Sequence, residues 1–430
     1  MSAPLKVAVA GLGTVGAGVV KLLKQQAEII SERAGRPITV TAVSAKDKTK
    51  DRGVDLSGLQ WFDDAAAMAV QADVDVVVEV IGGSSGIAKE TCEAAITQGR
   101  HLVTANKALL AVAGTDLARA AELKGVTLAF EAAVAGGIPI VKAVREGLAG
   151  NSFSQITGIL NGTCNYILTT MRESGREFAE VLAEAQALGY AEADPSFDID
   201  GIDAAHKLSI LTSLAFGTAV DFDKMLIEGI RHVSALDIKF AEELGYRIKL
   251  LGIARRTEAG IEQRVHPTMV PIHSMIGRVE GVFNAVVAEG DFVGRTLFEG
   301  RGAGAGPTAS AIASDLIDIA TGRRGPAFGI KADRLVPLVT APMADHKGAY
   351  YVRLMVLDRP GVFADVAAAL RDSDVSMEAV IQRGRAPGET VPVVMTLHDT
   401  KESSMRGALE KIAKFDSVVE PPRLIRIEND

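Results

Sequence analysis

The sequence predicts an α/β fold, with a doubly wound parallel sheet in front, an α+β region in the middle and a βαββαβ unit at the end. The chain has 430 residues, enough for about two to four domains. Short apolar runs alternate with helical stretches in the first third, which is typical of a parallel sheet. Strand and helix patterns alternate again after a connector that is rich in glycine and proline.

Composition and charge narrow the function classes. Apolar residues make up 48% and charged residues 23% of the chain, which is typical of a globular protein. The net charge is −8 and no basic block occurs, which favours small molecules over nucleic acid or a membrane as partners. The two cysteines, Cys92 and Cys164, form no disulfide framework, so a reducing cytoplasm is expected. His266 and His273, the closest histidine pair in the sequence, are interpreted as structural.

A glycine-rich turn follows the first apolar run. The run 5–10 leads into Gly-Leu-Gly-Thr-Val-Gly at 11–16, and a helical pattern follows. The first glycine permits a tight turn, the second lets backbone approach a pyrophosphate, and the third lets the helix pack closely on the strand. The phosphates are expected at the N-terminus of that helix. This turn therefore predicts dinucleotide binding by Gly11, Gly13, Thr14, Val15 and Gly16.

The end of the second predicted strand bears on the choice of cofactor. The four further strands of the predicted sheet are 38–43, 74–79, 101–104 and 126–130. An acidic residue after the second strand would bond the ribose 2′-hydroxyl of NAD and repel the 2′-phosphate of NADP. Lys46 and Lys48 follow that strand and favour NADP, whereas Asp47 between them leaves NAD open.

Two segments leave the predicted sheet at its carboxyl edge, where open α/β sheets bind ligands. The first, 104–107, ends the fourth strand with Thr104 and Lys107. Lys107 could reach a nicotinamide or an anionic substrate group there, or could be a solvated lysine at a helix start. The second segment, 131–139, is an acidic residue followed by a turn of small residues.

Residues 189–207 place five carboxylates ahead of one lysine. From about Asp200 the apolar pattern is helical, which puts Asp203 and Lys207 one turn apart on the same face. The pair could be a surface ion pair worth about 0.5 kcal/mol or less. Alternatively, a lysine held by a carboxylate can exchange a proton in a carbonyl–alcohol conversion, while the preceding carboxylates bind a substrate ammonium. The residues alone leave both interpretations open.

Five segments together resemble the homoserine dehydrogenase family, in the order expected for that family. They are 11–16, 104–107, 131–139, 158–168 and 189–207. The resemblance spans about residues 4 to 325, and the last segment is the most specific. It implies a Rossmann-like dinucleotide-binding domain and reversible NAD(P)H-dependent reduction of L-aspartate 4-semialdehyde to L-homoserine. That reaction belongs to threonine, methionine and isoleucine biosynthesis.

The resemblance also implies roles for individual residues. Lys207 matches the family's catalytic lysine, which donates a proton to the developing alkoxide, and Asp203 matches its neighbouring acid. Glu192 matches the acid that holds the substrate amino group, and Asp198 lies in the same pocket. Lys107 matches a lysine near cofactor and substrate.

Two further ligand contacts follow from the same resemblance. A monovalent cation, usually Na⁺, would be bound by Glu131 and the backbone carbonyls of Val134, Gly136 and Ile138. Hard oxygen ligands suit such an ion, although the turn could be purely structural. The glycine-rich segment 301–308 resembles the family's second cofactor contact, with Gly302 and Gly304 near the nicotinamide and Pro307 opening the next helix.

Two other function classes stay open. Cys164 could act as the thiolate of a phosphorylating semialdehyde dehydrogenase. Its sequence neighbours offer no base, which favours a small core residue instead. The chain could also be a non-catalytic amino-acid sensor that keeps the dinucleotide domain as a scaffold. The set Glu192, Asp203 and Lys207 favours the enzyme.

The domain organisation follows from these patterns. The predicted strands of the middle region are 155–160, 246–253, 263–270 and 283–289, and its predicted helices are near 162–173, 178–188 and 200–216. We expect a dinucleotide-binding domain over 1–135, completed by about 301–324, and an α+β catalytic and dimerisation domain over 136–324. In the family such a sheet lies at a dimer interface, so a homodimer or homotetramer is expected.

The tail is predicted as a separate unit over 350–430, joined by a linker over 325–349. Its pattern is βαββαβ, the ferredoxin-like order. With its Asp-Arg-Pro-Gly-Val turn at 358–362 it resembles an ACT domain, which implies an amino-acid effector near Asp358 and Gly361 and control by L-threonine. Such units also act as plain dimerisation modules, which fold alone does not distinguish.

Overall fold

The computed structural model describes residues 3–383 and 388–429. Residues 1, 2, 384–387 and 430, which fall in the first and last predicted domains, lie outside the described part. The front sheet contains the strands β1 (Leu5–Ala10), β2 (Ile38–Ser44), β3 (Gln60–Phe62), β4 (Val76–Glu79), β5 (His101–Thr104) and β6 (Leu128–Ala129). All pairings are parallel and the order is β3-β2-β1-β4-β5-β6, which confirms the predicted doubly wound sheet.

Helices cover both faces of this sheet. They are α1 (Thr14–Gln25), α2 (Ala27–Ala34), α3 (Ala65–Gln71), α4 (Ile87–Thr97) and α5 (Lys107–Lys124). The valine-rich strands are buried on both faces, as a parallel sheet between helix layers requires. The sequence did not predict β3, an edge strand of three residues. The predicted fifth strand, 126–130, is ordered as a strand only at Leu128 and Ala129.

The middle of the chain is an α+β unit. Its helices are α6 (Ile140–Lys142), α7 (Gly162–Ser174), α8 (Phe178–Ala187), α9 (Ser196–Ile199), α10 (Ile202–Phe216) and α11 (Ala235–Glu243). Helix α12 (Ala305–Thr321) follows in the chain but packs on α1 of the front domain. Its strands are β7 (Phe153–Ile159), β8 (Leu226–Ile227), β9 (Tyr246–Thr257), β10 (Gly260–Pro271), β11 (Phe283–Gly290) and β12 (Gly294–Arg301). The sheet is mixed, since β8 is parallel to β10 and the other pairings of this unit are antiparallel; β8 and β12 were not predicted. Helix α12 begins at Ala305, so Pro307 is its third residue rather than its first.

The tail has the predicted βαββαβ order. It contains β13 (Lys347–Leu357), α13 (Val362–Arg371), β14 (Met377–Gln382), β15 (Thr390–Lys401), α14 (Glu402–Ile412) and β16 (Arg423–Ile427). The strand order β16-β13-β15-β14 is antiparallel throughout. Strand β16 also pairs with β10 through Thr268 and Met269, so one ten-stranded sheet runs from the middle unit into the tail.

The predicted linker is packed against the body of the protein. Phe328 is buried and its ring lies 5.0 Å from that of Phe130. Isolated bridges join Val336 to Thr218 and Thr340 to Ile261. The linker is therefore a packed connector. It is also shorter than predicted, because β13 begins at Lys347. Among the described residues, no helix is both long and apolar enough to cross a bilayer.

Candidate active site

The glycine turn has the geometry that its spacing predicts. Gly11 has φ +96°, and a Cβ there would lie 2.7 Å from the carbonyl oxygen of Val80. A Cβ on Gly16 would lie 1.9 Å from the carbonyl oxygen of Gly11, so only glycine lets α1 pack this closely on β1. Gly13 is the N-cap of α1 and has open space where a Cβ would be. The first amides of α1 are therefore accessible to a phosphate.

A buried glutamate beside this turn was missed by the sequence analysis. Glu79 ends β4, has no exposed surface, and accepts hydrogen bonds from the amides of Ile81 (2.8 Å) and Gly82 (3.1 Å). Its second oxygen accepts from the Thr104 hydroxyl at 2.7 Å. Glu79 thus fixes the loop after β4 and engages the buried Thr104 hydroxyl. A glutamate at the end of an otherwise apolar strand was the available indication.

The residues predicted to bind substrate meet in one cleft of about 540 Å³. The cleft is lined, among others, by Lys107, Glu192, Asp198, Asp203, Lys207, Gly302 and Gly304. Lys107 is the first residue of α5 at the carboxyl edge of the front sheet, whereas Asp203 and Lys207 come from α10. The cleft therefore lies between the front domain and the middle unit, with the Gly302 loop as a further wall.

Lys207 is held by two acceptors inside this cleft. Its ammonium nitrogen lies 2.7 Å from Oδ2 of Asp203 and 2.7 Å from the carbonyl oxygen of Leu160. Lys107 approaches Oδ1 of the same aspartate at 3.4 Å. Burial disfavours the charged form of Asp203, but Lys207 and Lys107 outweigh it and hold the pKa of Asp203 at about 2. The structure therefore makes this a buried ion pair with a second lysine at the entrance, rather than a surface pair.

Asn161 joins the two aspartates and was not singled out from the sequence. Its Nδ2 donates to Asp198 and to Asp203, each at 2.8 Å, while its Oδ1 accepts from the amide of Cys164 at the start of α7. Burial and the neighbouring charge of Asp203 raise the pKa of Asp198. One neutral amide therefore holds two carboxylates at the edge of the cleft. An asparagine at a helix N-cap was the indication in the sequence.

The other predicted substrate residue is more exposed. Glu192 lies in the segment between α8 and α9 and lines the cleft. Its carbonyl accepts from the side-chain amide of Gln186 at 2.9 Å, which ties this segment to α8. A carboxylate in this position can meet a substrate ammonium.

The predicted cation-binding turn packs against the loop at Gly302. A Cβ on Gly136 would lie 2.4 Å from the carbonyl oxygen of Gly302, and Gly137 donates to the carbonyl of Arg301 at 3.1 Å. Ala135 and Gly136 both have left-handed backbone conformations, with φ of 55° and 52°. The turn that carries the predicted ligands therefore supports one wall of the cleft.

Glu131 faces helix amides within that turn. Its carboxylate oxygens accept from the backbone of Val141 at 2.9 Å and Lys142 at 2.8 Å. Burial and the neighbouring Asp315 raise the pKa of Glu131 to about 7. The Ile138 carbonyl accepts from Ile140 at 2.8 Å. Both carboxylate oxygens of Glu131 therefore already accept a hydrogen bond from an amide of α6.

Asn284 is a second polar residue that the sequence analysis missed. It is 1% exposed, lines the cleft beside Gly302, and its Oδ1 has no hydrogen-bond partner among the described residues. Cβ atoms on Gly162 and Gly302 would lie 3.2 Å from Oδ1 and 2.1 Å from Nδ2 of Asn284. Two glycines therefore make room for this amide, whose spacing from either glycine in sequence gave no indication.

The loop after β2 carries the predicted cofactor-selecting lysines. Lys46 and Lys48 are exposed, and the Lys48 ammonium lies 5.9 Å from the ring centroid of Trp61. Arg52, which was not predicted, stacks over the same ring at 5.5 Å and donates to the Leu12 carbonyl at 3.0 Å. The Asp47 carboxylate accepts from the backbone and hydroxyl of Thr49 at 2.8 and 2.7 Å. Arg52 therefore reaches the glycine turn, and Lys48 lies over the same ring as Arg52.

The remaining candidates lie outside the cleft. Cys164 is fully buried, its thiol contacts the Asp198 carbonyl at 3.3 Å, and burial raises its pKa, so it is a poor nucleophile. His266 is buried between Arg264 and Thr268, as a structural histidine would be. Asp358 and Gly361 lie in the turn between β13 and α13, and Gly361 caps α13 with φ +94°.

Comparisons with known proteins agree with this geometry. Residues 11–131 match the homoserine dehydrogenase NAD-binding domain, residues 139–317 match homoserine dehydrogenase, and residues 350–416 match the ACT domain. A homoserine dehydrogenase of Neisseria gonorrhoeae is 47% identical over 99% of both chains. A crystal structure of a homoserine dehydrogenase from Thiobacillus denitrificans has 46% identity and a TM-score of 0.94, covering 99% of both chains.

A more distant structure bears on the cofactor. A hyperthermophilic archaeal homoserine dehydrogenase in complex with NADPH is 25% identical, with a TM-score of 0.64 over 76% of this chain and 100% of that one. The matched family models, the identity over the full length and the residues of the cleft all indicate the same family. This chain belongs to the homoserine dehydrogenase family, the NAD(P)-dependent oxidoreductases that interconvert L-homoserine and L-aspartate 4-semialdehyde.

Proposed function

We propose that Lys207 is the proton donor and acceptor for this interconversion, that Asp203 orients it, and that Lys107, Glu192 and Asp198 bind the amino-acid substrate. The observation that carries the proposal is the ammonium of Lys207, buried in the cleft between Asp203 and the Leu160 carbonyl. An ammonium has three N–H donors, and these two acceptors use two of them. The third is left for the oxygen of a bound aldehyde or alcohol.

The charges in the cleft suit a substrate that is an α-amino acid. The nicotinamide supplies or accepts the hydride. Lys207 gives its proton to the substrate oxygen as the carbonyl is reduced, and takes it back in the reverse direction. Lys107 presents a cation to the substrate carboxylate, while Glu192 and Asp198 present carboxylates to the ammonium.

The decisive experiment follows NADP reduction with L-homoserine in wild type and Lys207→Met. We expect kcat to fall by about 10²–10⁴, because a positioned proton donor typically contributes that factor. The Kd for NADP should change less than about twofold, since methionine keeps most of the length and volume of the lysine side chain and removes only the ammonium. Unchanged kcat in Lys207→Met would contradict the proposed role, and a wild type without turnover but with tight amino-acid binding would favour the sensor.

NADP is the proposed preferred cofactor, bound by Gly11, Gly13, Thr14, Val15, Gly16, the backbone at Thr104, Lys107, Gly302 and Gly304. Lys46, Lys48 and Arg52 would face the 2′-phosphate, since the Asp47 carboxylate is turned toward Thr49. Replacing Lys46 and Lys48 by alanine should raise the KM for NADP about tenfold or more and leave the KM for NAD within about twofold. An equal rise for both cofactors would contradict phosphate recognition by these lysines.

A monovalent cation, Na⁺ by preference, is part of the proposal. The carbonyls of Val134 and Gly136 lie in a buried turn and accept no backbone hydrogen bond among the described residues. Buried carbonyls without donors fit a cation with oxygen ligands, and Glu131 would add charge. The Ile138 carbonyl is partly used by Ile140. The cation would hold the turn against Gly302, so removal of Na⁺ and K⁺ should raise the KM for the cofactor.

Assembly and regulation complete the proposal. The domain limits remain 1–135 with 301–324, 136–324 and 350–430, with 325–349 as the packed connector. A homodimer or homotetramer is supported by exposed apolar side chains near the ends of the middle sheet, among them Phe283, Phe292 and Val293. L-Threonine at Asp358 and Gly361 is supported by the ACT match, and a cytoplasmic location by two buried free cysteines.

A further inference from the structure

A short segment, Glu228 to Arg231, lies between the tail and the substrate cleft. On the tail side, the Glu228 carboxylate accepts from Arg426 of β16 at 2.8 and 3.3 Å and from Arg406 of α14 at 3.3 Å. Arg426 is 1% exposed and also donates to Glu402 at 2.6 and 3.0 Å. Glu228 is therefore bound to a buried, hydrogen-bonded arginine of the tail.

On the side of the substrate cleft, the same segment is hydrogen-bonded to α9 and to the residue that follows it. The Ile230 amide donates to the Ile199 carbonyl at 2.8 Å. Arg231 bonds both carboxylate oxygens of Asp200 and donates to the Ser196 hydroxyl at 2.9 Å. Between them, a Cβ on Gly229 would lie 2.2 Å from the Ile199 carbonyl oxygen. The two backbones are in direct contact, so a shift of the segment must move α9.

Helix α9 carries Asp198 into the cleft. Its carboxylate accepts from Asn161, which donates with the same nitrogen to Asp203, the partner of Lys207. An unbroken series of direct contacts thus joins Arg426 to the ammonium of Lys207. Each step is a hydrogen bond or a backbone contact between described residues.

We propose that Glu228 is a positioning residue, through which Arg406 and Arg426 of the tail set the position of α9 and Asp198 in the substrate cleft. The inference rests on the role proposed above for Asp198. Loss of the carboxylate leaves Arg426 paired with Glu402, so the tail stays intact. The segment keeps its backbone bond from Glu228 to Val265 but loses its side-chain link to the tail. The expected effect is weaker substrate binding rather than unfolding.

The test compares Glu228→Gln with Glu243→Gln in the full chain. Glu243 also pairs with the tail, with Arg383 at 2.9 Å, but it ends α11 rather than touching α9. We expect Glu228→Gln to raise the KM for L-homoserine about five- to tenfold, with the KM for NADP within about twofold. Glu243→Gln should leave both constants within about twofold. Deuterium exchange in peptides covering 196–203 should rise only in Glu228→Gln.

A double variant checks the connection to the tail. If Arg406 acts through Glu228, the single variant Arg406→Gln should raise the KM for L-homoserine. The same substitution should cause no further rise in KM when Glu228→Gln is already present. Equal effects of Glu228→Gln and Glu243→Gln, or unchanged exchange at 196–203, would overturn the proposal. Exchange does not depend on turnover, so its result separates this inference from failure of the proposed roles of Lys207 and Asp198.

Discussion

Asn161 shows how much of the cleft depends on one uncharged side chain. Its amide nitrogen faces two carboxylates, and its oxygen caps α7. Without that donor, Asp198 and Asp203 would lie close together with like charge, and the pKa of Asp198 is already raised by burial and by Asp203. The pairing of Lys207 with Asp203 therefore requires a neutral donor next to it.

Asn161→Asp should separate the two functions of this residue. Aspartate is as good an N-cap as asparagine, so α7 should keep its cap, but a third buried carboxylate should lower the unfolding free energy by about 1–3 kcal/mol. The new carboxylate repels Asp198 and Asp203, so kcat/KM for L-homoserine should fall about 100-fold. Steady-state kinetics and urea unfolding measure the two effects. A variant with wild-type kcat/KM would show that the amide has no role in the cleft.

The sequence indicates the charged residues of the cleft better than the neutral ones. Asp203 and Lys207 stand four residues apart on one helix, so their meeting is local and predictable. Asn284 reaches Gly302 because the chain turns back after β11 and pairs Asn284 with Gly300 of β12, two residues before Gly302. A contact of that kind depends on strand register, which local patterns do not give.

At the scale of elements, the front sheet positions ligands through three adjacent strand ends. Ala10, Glu79 and Thr104 are neighbours across β1, β4 and β5, so the loops after them leave at one edge. Apolar runs predicted these strands because they are buried on both faces. The edge strands β3 and β12 escaped prediction, since β3 has three residues and β12 is largely exposed.

The two glycines of the first turn should respond differently to alanine. Gly16→Ala places a Cβ 1.9 Å from the Gly11 carbonyl oxygen, so it should cost about 2 kcal/mol or more of unfolding free energy. Gly13→Ala meets no atom within 4 Å and has an ordinary φ of −72°, so stability should hold. It should instead raise the KM for NADP, because its Cβ occupies the approach to the pyrophosphate. Calorimetry and kinetics test the pair, and the reverse pattern would contradict it.

At the scale of the whole molecule, buried charges join the tail to the middle unit. Arg264 of β10 is fully buried and pairs with Glu262 and Glu428, and His346 lies 3.0 Å from Glu262. Burial and the positive charge of Arg264 lower the pKa of His346 to about 4. The sequence predicted both units but not this cluster of buried charges between them, because its residues come together only in the folded chain.

Replacing His346 by glutamine should flatten the dependence of stability on pH. The lowered pKa means that His346 stabilises the fold fully above pH 6.5, and that this stability is lost as pH falls toward about 4. The full effect is on the order of 3 kcal/mol. The unfolding free energy, measured with urea between pH 4.5 and 7.5, should depend less steeply on pH in His346→Gln than in wild type. His398→Gln, at an exposed histidine, is the control. An equal pH dependence of the unfolding free energy in all three proteins would contradict this role of His346.

Helix α12 belongs to the front of the molecule although it comes late in the chain. It packs on α1 so closely that a Cβ on Gly18 would lie 3.0 Å from the carbonyl oxygen of Ala305. During synthesis the six front strands emerge early, while their last covering helix ends only at Thr321. At about 5–20 residues per second, roughly 10–40 seconds separate the two events on the ribosome. For that interval the apolar side chains of α1 that α12 later covers, among them Val19, Val20 and Leu23, lack this cover.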